Sequence, residues 1–122
     1  LPQVLTQAPR VSGALEAHYA PRTPMRVVSP MVLADTLADL AATGKRFGLL
    51  SYRVDAGQAF PVPIWRCLPA DPDGYAHGVY AALRELDQAG LDLIVVEAIP
   101  DDPAWDAVAD RMRRATFGSG AN

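Results

Sequence analysis

Hydrophobic positions follow two different periods along most of the chain. From Met25 onward, short and nearly continuous apolar runs alternate with longer stretches in which apolar residues recur every three or four positions. The first pattern is typical of β-strands and the second of amphipathic helices. The strands predicted in this way cover residues 25–28, 47–52, 62–68 and 91–99. Because Pro63 cannot donate to a ladder, the third strand is predicted to begin after it or to lie at a sheet edge.

Each of three predicted helices begins with a polar residue followed by proline. A side-chain oxygen at this position can cap the first free amides, and proline is favoured in the first turn. The three starts are Ser29-Pro30, Asp71-Pro72 and Asp102-Pro103. Gly44 and Gly90 stand where the first two helices are expected to end. The apolar stripes that the helices should bury are Leu33, Leu37 and Leu40; Tyr75, Val79, Leu83 and Leu86; and Trp105, Val108 and Met112.

The alternation of strands and helices predicts an α/β fold. It is typical of a small three-layer domain of Rossmann-like or flavodoxin-like type with a mainly parallel sheet and right-handed crossovers. We expect an extended, proline-rich arm over residues 1–24, an α/β body over 25–117 and a flexible tail over 118–122. Because the chain begins with Leu1 and not with methionine, we expect it to be a piece of a longer protein.

Composition narrows the possible functions. The formal net charge of −3 at pH 7 argues against direct nucleic-acid binding, which favours a basic surface. No apolar run reaches the roughly 20 residues that span a bilayer, so we expect no membrane contact. The chain has one cysteine, so we expect a reducing, cytoplasmic setting. One cysteine and two histidines also make a structural metal site unlikely on chemical grounds, and none is predicted.

Candidate catalytic groups in the α/β body each have a structural alternative. Asp71 with Asp73, and Asp101 with Asp102, offer oxygen ligands for Mg²⁺ or an acid and a base. Each pair also lies at a predicted helix start, which favours capping and interaction with the helix dipole. Glu97 follows a predicted buried strand, where it is either an acid–base group or the partner of a nearby arginine.

The remaining polar groups of the body suggest no catalytic site. Cys67 is predicted to be a buried, inert thiol within a strand, and His77 to lie on a helix surface. Arg84, Glu85 and Asp87 are predicted to form a solvated helix face. The sequence contains no glycine-rich phosphate loop of the dinucleotide-binding or Walker type. A stand-alone module that binds a small ligand at the strand ends, or that only docks to another domain, is one hypothesis for this body.

The arm carries a short polar and aromatic motif, His18-Tyr19-Ala20-Pro21. Such a motif on an irregular segment favours contact with a ligand or with another domain. Residue chemistry leaves two interpretations open. Tyr19 either anchors the arm on the body with its hydroxyl in water, or joins His18 in contacting a ligand.

The arm and three later stretches together resemble a known family. Residues 8–13 (APRVSG) and 18–24 (HYAPRTP) look like the interdomain linker of the two-domain L-threonylcarbamoyladenylate synthases. Residues 80–87 (YAALRELD), 92–97 (DLIVVE) and 110–115 (DRMRRA) are similar to the C-terminal domain of that family. The resemblance runs in order over nearly the whole chain.

This resemblance implies the role of a C-terminal regulatory domain that is inactive alone and binds no cofactor itself. In the family, an N-terminal YrdC-like catalytic domain makes threonylcarbamoyl-AMP and pyrophosphate from threonine, bicarbonate and ATP with Mg²⁺, for threonylcarbamoyladenosine in tRNA. That domain and its substrates are the implied partners, and the linker is implied to close over the ATP site. The residues implied to contact ATP are Tyr19, His18, Arg22 and Arg10. Leu15 and Ala17 stand where many members carry lysine and arginine, which centres the expected contact on Tyr19.

Overall fold

The computed structural model describes residues 19–56 and 62–120. Within these residues the strands form one sheet of four. They are β1 (Met25–Val28), β2 (Phe47–Ser51), β3 (Ile64–Cys67) and β4 (Leu93–Glu97). The order across the sheet is β1-β4-β2-β3, and every neighbouring pair is parallel. The predicted α/β fold with a mainly parallel sheet is therefore confirmed.

Helices connect the strands as the sequence predicts. They are α1 (Leu33–Thr43), α2 (Pro72–Asp87) and α3 (Asp106–Gly118). A short 3₁₀ turn precedes α1 and another precedes α3, and the predicted polar residues cap the two turns and α2. Gly44 follows α1 with φ of 75°, a left-handed conformation that glycine adopts without a Cβ clash. No helix in the described part of the chain is both long and apolar enough to cross a bilayer.

The sheet lies between two apolar layers that the predicted helix stripes form. Leu33, Leu37 and Leu40 of α1 pack on one face, and the stripes of α2 and α3 pack on the other. The central strands β2 and β4 are buried along their whole length. Because burial of a leucine-sized side chain contributes about 1.5–3 kcal/mol, these stripes hold the layers together.

β3 is an edge strand, and its second half is exposed. The strand begins after Pro63 and pairs only with β2, as the proline predicted. Arg66 and Cys67 at its end are exposed, so the prediction of a buried thiol at Cys67 is wrong. The physical reason is the edge position, which leaves both residues outside the two apolar clusters.

The two ends of the described chain lie against each other. The Met25 amide donates to Ser119 Oγ at 3.1 Å, and the Gly120 amide donates to the Pro21 carbonyl oxygen at 3.1 Å. The last helix, α3, continues through Gly118, and the next two residues bond residues 25 and 21. Residues 121 and 122 lie outside the described part.

Candidate functional site

Two of the four predicted ATP-contacting residues lie together at the C-terminal end of α2. Tyr19 is half-buried there and Arg22 is exposed. His18 and Arg10 lie outside the described residues. The structure thus brings the described part of the arm to one helix end, where a single carboxylate receives it.

That carboxylate belongs to Asp87, the last residue of α2. Its Oδ1 accepts hydrogen bonds from the Thr23 amide and from Thr23 Oγ1, both at 2.9 Å. Its Oδ2 accepts from the Arg22 amide at 3.3 Å and from the Tyr19 hydroxyl at 3.2 Å. Each carboxylate oxygen therefore takes two donors from the arm. We call these four residues the arm clasp.

The ring of Tyr19 is held as well as its hydroxyl. It meets the Tyr80 ring edge to face, with centroids 6.2 Å apart and planes at 88°, the arrangement that aromatic pairs prefer. The Arg84 guanidinium carbon lies 6.0 Å from the centroid of the Tyr19 ring, within the range of a cation–π contact. Tyr19 is thus anchored on the body, but its hydroxyl bonds Asp87 and does not stay in water as the anchoring interpretation expects. Its contact with ATP stays a prediction.

Electrostatics favour the protonation states that the clasp needs. Burial, followed by the charge of Asp87 and the hydrogen bond to it, raises the pKa of Tyr19 to about 12. Burial also raises the pKa of Asp87, but the hydrogen bonds from Thr23, Arg22 and Tyr19 more than offset this and leave it below its ordinary value. At neutral pH, Tyr19 thus carries its proton and Asp87 its charge.

Sequence reasoning missed Asp87. The residue was predicted to belong to a solvated helix face with Arg84 and Glu85, and this is wrong for Asp87 because it is half-buried against the arm. Its partners are 64 to 68 positions away along the chain, so no local spacing reveals them. The one available signal was that Asp87 closes the stretch 80–87, which carried the family resemblance.

A second carboxylate, Glu97, lies at the carboxyl end of β4. Its side chain is fully buried. It accepts hydrogen bonds from the amides of Tyr52 and Arg53, at 3.1 and 3.2 Å, and forms an ion pair with Arg53 Nε. Of the two interpretations of Glu97, the structure shows the strand-end carboxylate paired with an arginine. This pair joins the end of β4 to the loop after β2.

One aspartate of each acidic pair at the helix starts serves as a cap. Asp71 Oδ2 accepts from the Gly74 amide at 2.8 Å, and Asp102 Oδ1 accepts from the Ala104 amide at 2.9 Å. The capping interpretation is confirmed for these two residues. Among residues 19–56 and 62–120, no three histidine, cysteine or acidic side chains come close enough together to hold a metal ion.

An apolar groove of about 470 Å³ lies elsewhere, between β1 and α3. Val27 and Phe117 line it and are 46% and 93% exposed. None of the arm clasp residues lines this groove. The groove is therefore separate from the arm clasp.

Comparisons with known proteins agree over most of the chain. A family model described as the C-terminal domain of threonylcarbamoyl-AMP synthase matches residues 2–116. Threonylcarbamoyl-AMP synthase of Bacillus subtilis is 29% identical over 115 residues, which is 92% of this chain and 33% of that protein. The chain spans about a third of the length of the curated relatives it matches.

Solved structures show the same fold. The crystal structure of Pyrococcus abyssi Sua5 complexed with L-threonine has a TM-score of 0.68 and 24% identity, over 82% of this chain and 30% of that one. The C-terminal Sua5 domain from Pyrococcus horikoshii has a TM-score of 0.61 and 21% identity, over 75% of this chain and 91% of that one. At these identities the likeness establishes the fold alone.

Proposed function

The chain belongs to the family of threonylcarbamoyl-AMP synthase C-terminal domains, and from this membership we propose that it acts as the regulatory part of a longer, cytoplasmic synthase. The synthase converts threonine, bicarbonate and ATP to threonylcarbamoyl-AMP, pyrophosphate and water. A preceding YrdC-like domain carries the catalytic groups and binds ATP with Mg²⁺. The product serves threonylcarbamoyladenosine formation in tRNA. Because this chain corresponds to about a third of its relatives, it is inactive alone.

The arm acts as a lid over the ATP site of the preceding domain. The observation that carries this proposal is the arm clasp, which fixes the main chain at Arg22 and Thr23 while the Arg22 side chain stays exposed. A guanidinium presented in this way can bind phosphate oxygens in bidentate fashion. The proposal also includes His18 and Arg10, which the family resemblance implies in ATP contact.

Tyr19 contributes a hydroxyl and a flat ring to the lid. A phenol donates one hydrogen bond, which suits a phosphate oxygen, and its ring can lie against the nucleotide. A segment that closes over bound substrate also excludes water, a common form of gating. Closure of the arm thus couples ATP binding to the position of this domain.

Replacement of Tyr19 in the full-length protein tests the proposal. With Tyr19→Ala we expect KM for ATP to rise about tenfold, because both the hydroxyl and the ring are lost. Tyr52→Phe removes a hydroxyl from the body at a residue outside the arm clasp and should leave the kinetics unchanged. ATP affinity and synthase rate that stay at the wild-type level in Tyr19→Ala would contradict the lid.

Calorimetry separates this proposal from a stand-alone binding module. The 122-residue chain is titrated with nucleotides and amino acids in the absence of a catalytic domain. Our proposal expects no tight binding, whereas tight binding would favour a ligand site of the body itself. If loss of this domain lowered only the stability of the longer protein and left its kinetics unchanged, a pure docking role would be favoured.

A further inference from the structure

We propose that Asp87 is a positioning residue for ATP binding, which it supports by fixing the point from which the arm reaches over the nucleotide. This inference rests on the proposed function and adds to it the residue of the body that holds the lid. Asp87 itself need not touch ATP, because it acts through Thr23 and Arg22.

The end of the arm that joins β1 is held by hydrogen bonds at two consecutive residues, Thr23 and Pro24. Thr23 is 8% exposed and bonds Asp87 through its amide and its hydroxyl. Next to it, the Pro24 carbonyl oxygen accepts from the Ile94 amide at 2.8 Å, which continues the pairing of β1 with β4. Residues 23–25 thus have one position on the sheet.

The end of α3 confines the residues just before this point. The Gly120 amide bonds the Pro21 carbonyl oxygen at 3.1 Å. A Cβ at Gly118 would lie 2.9 Å from the Ala20 Cβ, closer than side chains approach each other. The arm therefore leaves the body between the ends of α2 and α3, and Asp87 is the acceptor that holds it there.

Helix stability does not explain an aspartate at this position. The C-terminal end of a helix carries partial negative charge, so a carboxylate there is unfavourable for the helix itself. Asp87 is the last residue of α2, and its carboxylate accepts four hydrogen bonds from the arm. These bonds offset the unfavourable interaction with the helix end.

The bond from Tyr19 is separable from the other three. Tyr19 has one O–H, and in this structure it donates to Asp87 at 3.2 Å. Because a phosphate oxygen of ATP needs a donor, Tyr19 has to leave Asp87 before its hydroxyl can bind there. The contacts of Arg22 and Thr23 can stay intact during this movement. Asp87 thus keeps its hold on Arg22 and Thr23 when the bond from Tyr19 is released.

Steady-state kinetics of the full-length protein test the inference. Thr23→Val removes the hydroxyl donor at nearly constant volume, and Thr23→Ser keeps it. We expect Thr23→Val to raise KM for ATP about three- to tenfold, the equivalent of one lost hydrogen bond. Thr23→Ser should match the wild type, and KM for threonine should stay unchanged in both variants. Glu85→Ala, on the exposed side of the same helix, is the control for a lost carboxylate.

A double-mutant cycle shows whether Thr23 acts through Asp87. In an Asp87→Ala background, Thr23→Val should have no further effect on KM for ATP. If circular dichroism shows that Asp87→Ala does not fold, Asp87→Asn replaces it, and the effect of Thr23→Val should then shrink. The inference is overturned if Thr23→Val matches Thr23→Ser, if its effect is the same without Asp87, or if KM for threonine rises equally.

These failures differ from a failure of the proposed function. If the wild-type full-length protein makes no threonylcarbamoyl-AMP, or if Tyr19→Ala leaves ATP affinity unchanged, the lid is wrong and the role of Asp87 falls with it. If Tyr19→Ala weakens ATP binding and Thr23→Val does not, the lid stands and only the positioning role is wrong.

Discussion

Asp87 and Glu97 each bind a distant chain segment through the same kind of hydrogen bonding. Each carboxylate accepts hydrogen bonds from the amides of two consecutive residues and from at least one side chain. The amides are those of residues 22–23 for Asp87 and residues 52–53 for Glu97. Glu97 is fully buried inside the body, whereas Asp87 is half-buried at the boundary with the arm. The comparison teaches that burial and the nature of the bound segment decide what such a carboxylate does. We expect Glu97 to govern stability and Asp87 to govern the position of the arm.

The largest effect should come from Glu97→Ala. It removes the acceptor of two amides and leaves the Arg53 guanidinium without its partner. Because Arg53 is 41% exposed, water compensates in part, and we expect a loss of about 3 kcal/mol in the free energy of unfolding. Urea denaturation measures it. A loss below about 1 kcal/mol is typical of an exposed ion pair and would contradict the assignment of a stabilising role to Glu97.

Asp87→Ala should cost less stability than Glu97→Ala. The lost hydrogen bonds contribute about 1 kcal/mol each, but water replaces most of them at this half-buried position, and removal of a negative charge from the end of α2 offsets a further part of the loss. We expect a net loss of about 1 kcal/mol in the same urea experiment. A loss equal to that of Glu97→Ala would show that the clasp is part of the core, and the contrast between the two carboxylates would disappear.

The contribution of Asp87 should depend on pH in one direction. Its pKa in the folded state lies below the ordinary value of 3.8, so the charged form is the one that folding favours. The stability difference between wild type and Asp87→Asn should be fully present above that ordinary value. It should fade as pH falls through the lower, folded-state pKa. Unfolding curves of both proteins between neutral and strongly acidic pH check this, and a difference that grows on acidification would contradict it.

The smallest effect should appear in the titration of Tyr19. Its pKa of about 12 has burial as the larger cause and the charge of Asp87 as the next. Asp87→Asn should therefore lower the pKa of Tyr19 while leaving it above the ordinary value of 10.0. NMR of labelled tyrosine rings follows this residue separately from the other three. An unchanged pKa would show that Asp87 and Tyr19 are not coupled in solution.

Most of the fold could be predicted because its causes are local. The apolar stripes on α1, α2 and α3 follow from the spacing of apolar residues. The caps Ser29, Asp71 and Asp102 each accept a hydrogen bond from an amide two or three residues later. The continuous apolar run of β4 indicated a central strand, and this strand is buried along its whole length. The exposure of Cys67 was not predicted because Pro63 left two positions open for β3, and local spacing does not determine strand order.

The candidate site could be predicted only in part. Tyr19 and Arg22 were found through the resemblance of the arm to a known linker, and Asp87 was not found because its partners are more than 60 residues away. The same reason hid the partner of Glu97, for which the sequence indicated only some nearby arginine. A carboxylate that joins distant segments has no local pattern, so the structure was needed to tell Asp87 from its solvated neighbour Glu85.

Hydrogen exchange at the Thr23 amide tests the central claim most directly. In the full-length protein this amide donates to Asp87, at 2.9 Å in the present structure, and it should be protected in the wild type and in Glu85→Ala. In Asp87→Ala we expect exchange about fivefold faster, because the amide loses a hydrogen bond of roughly 1 kcal/mol. Equal exchange rates in wild type and Asp87→Ala would show that Asp87 does not hold the arm.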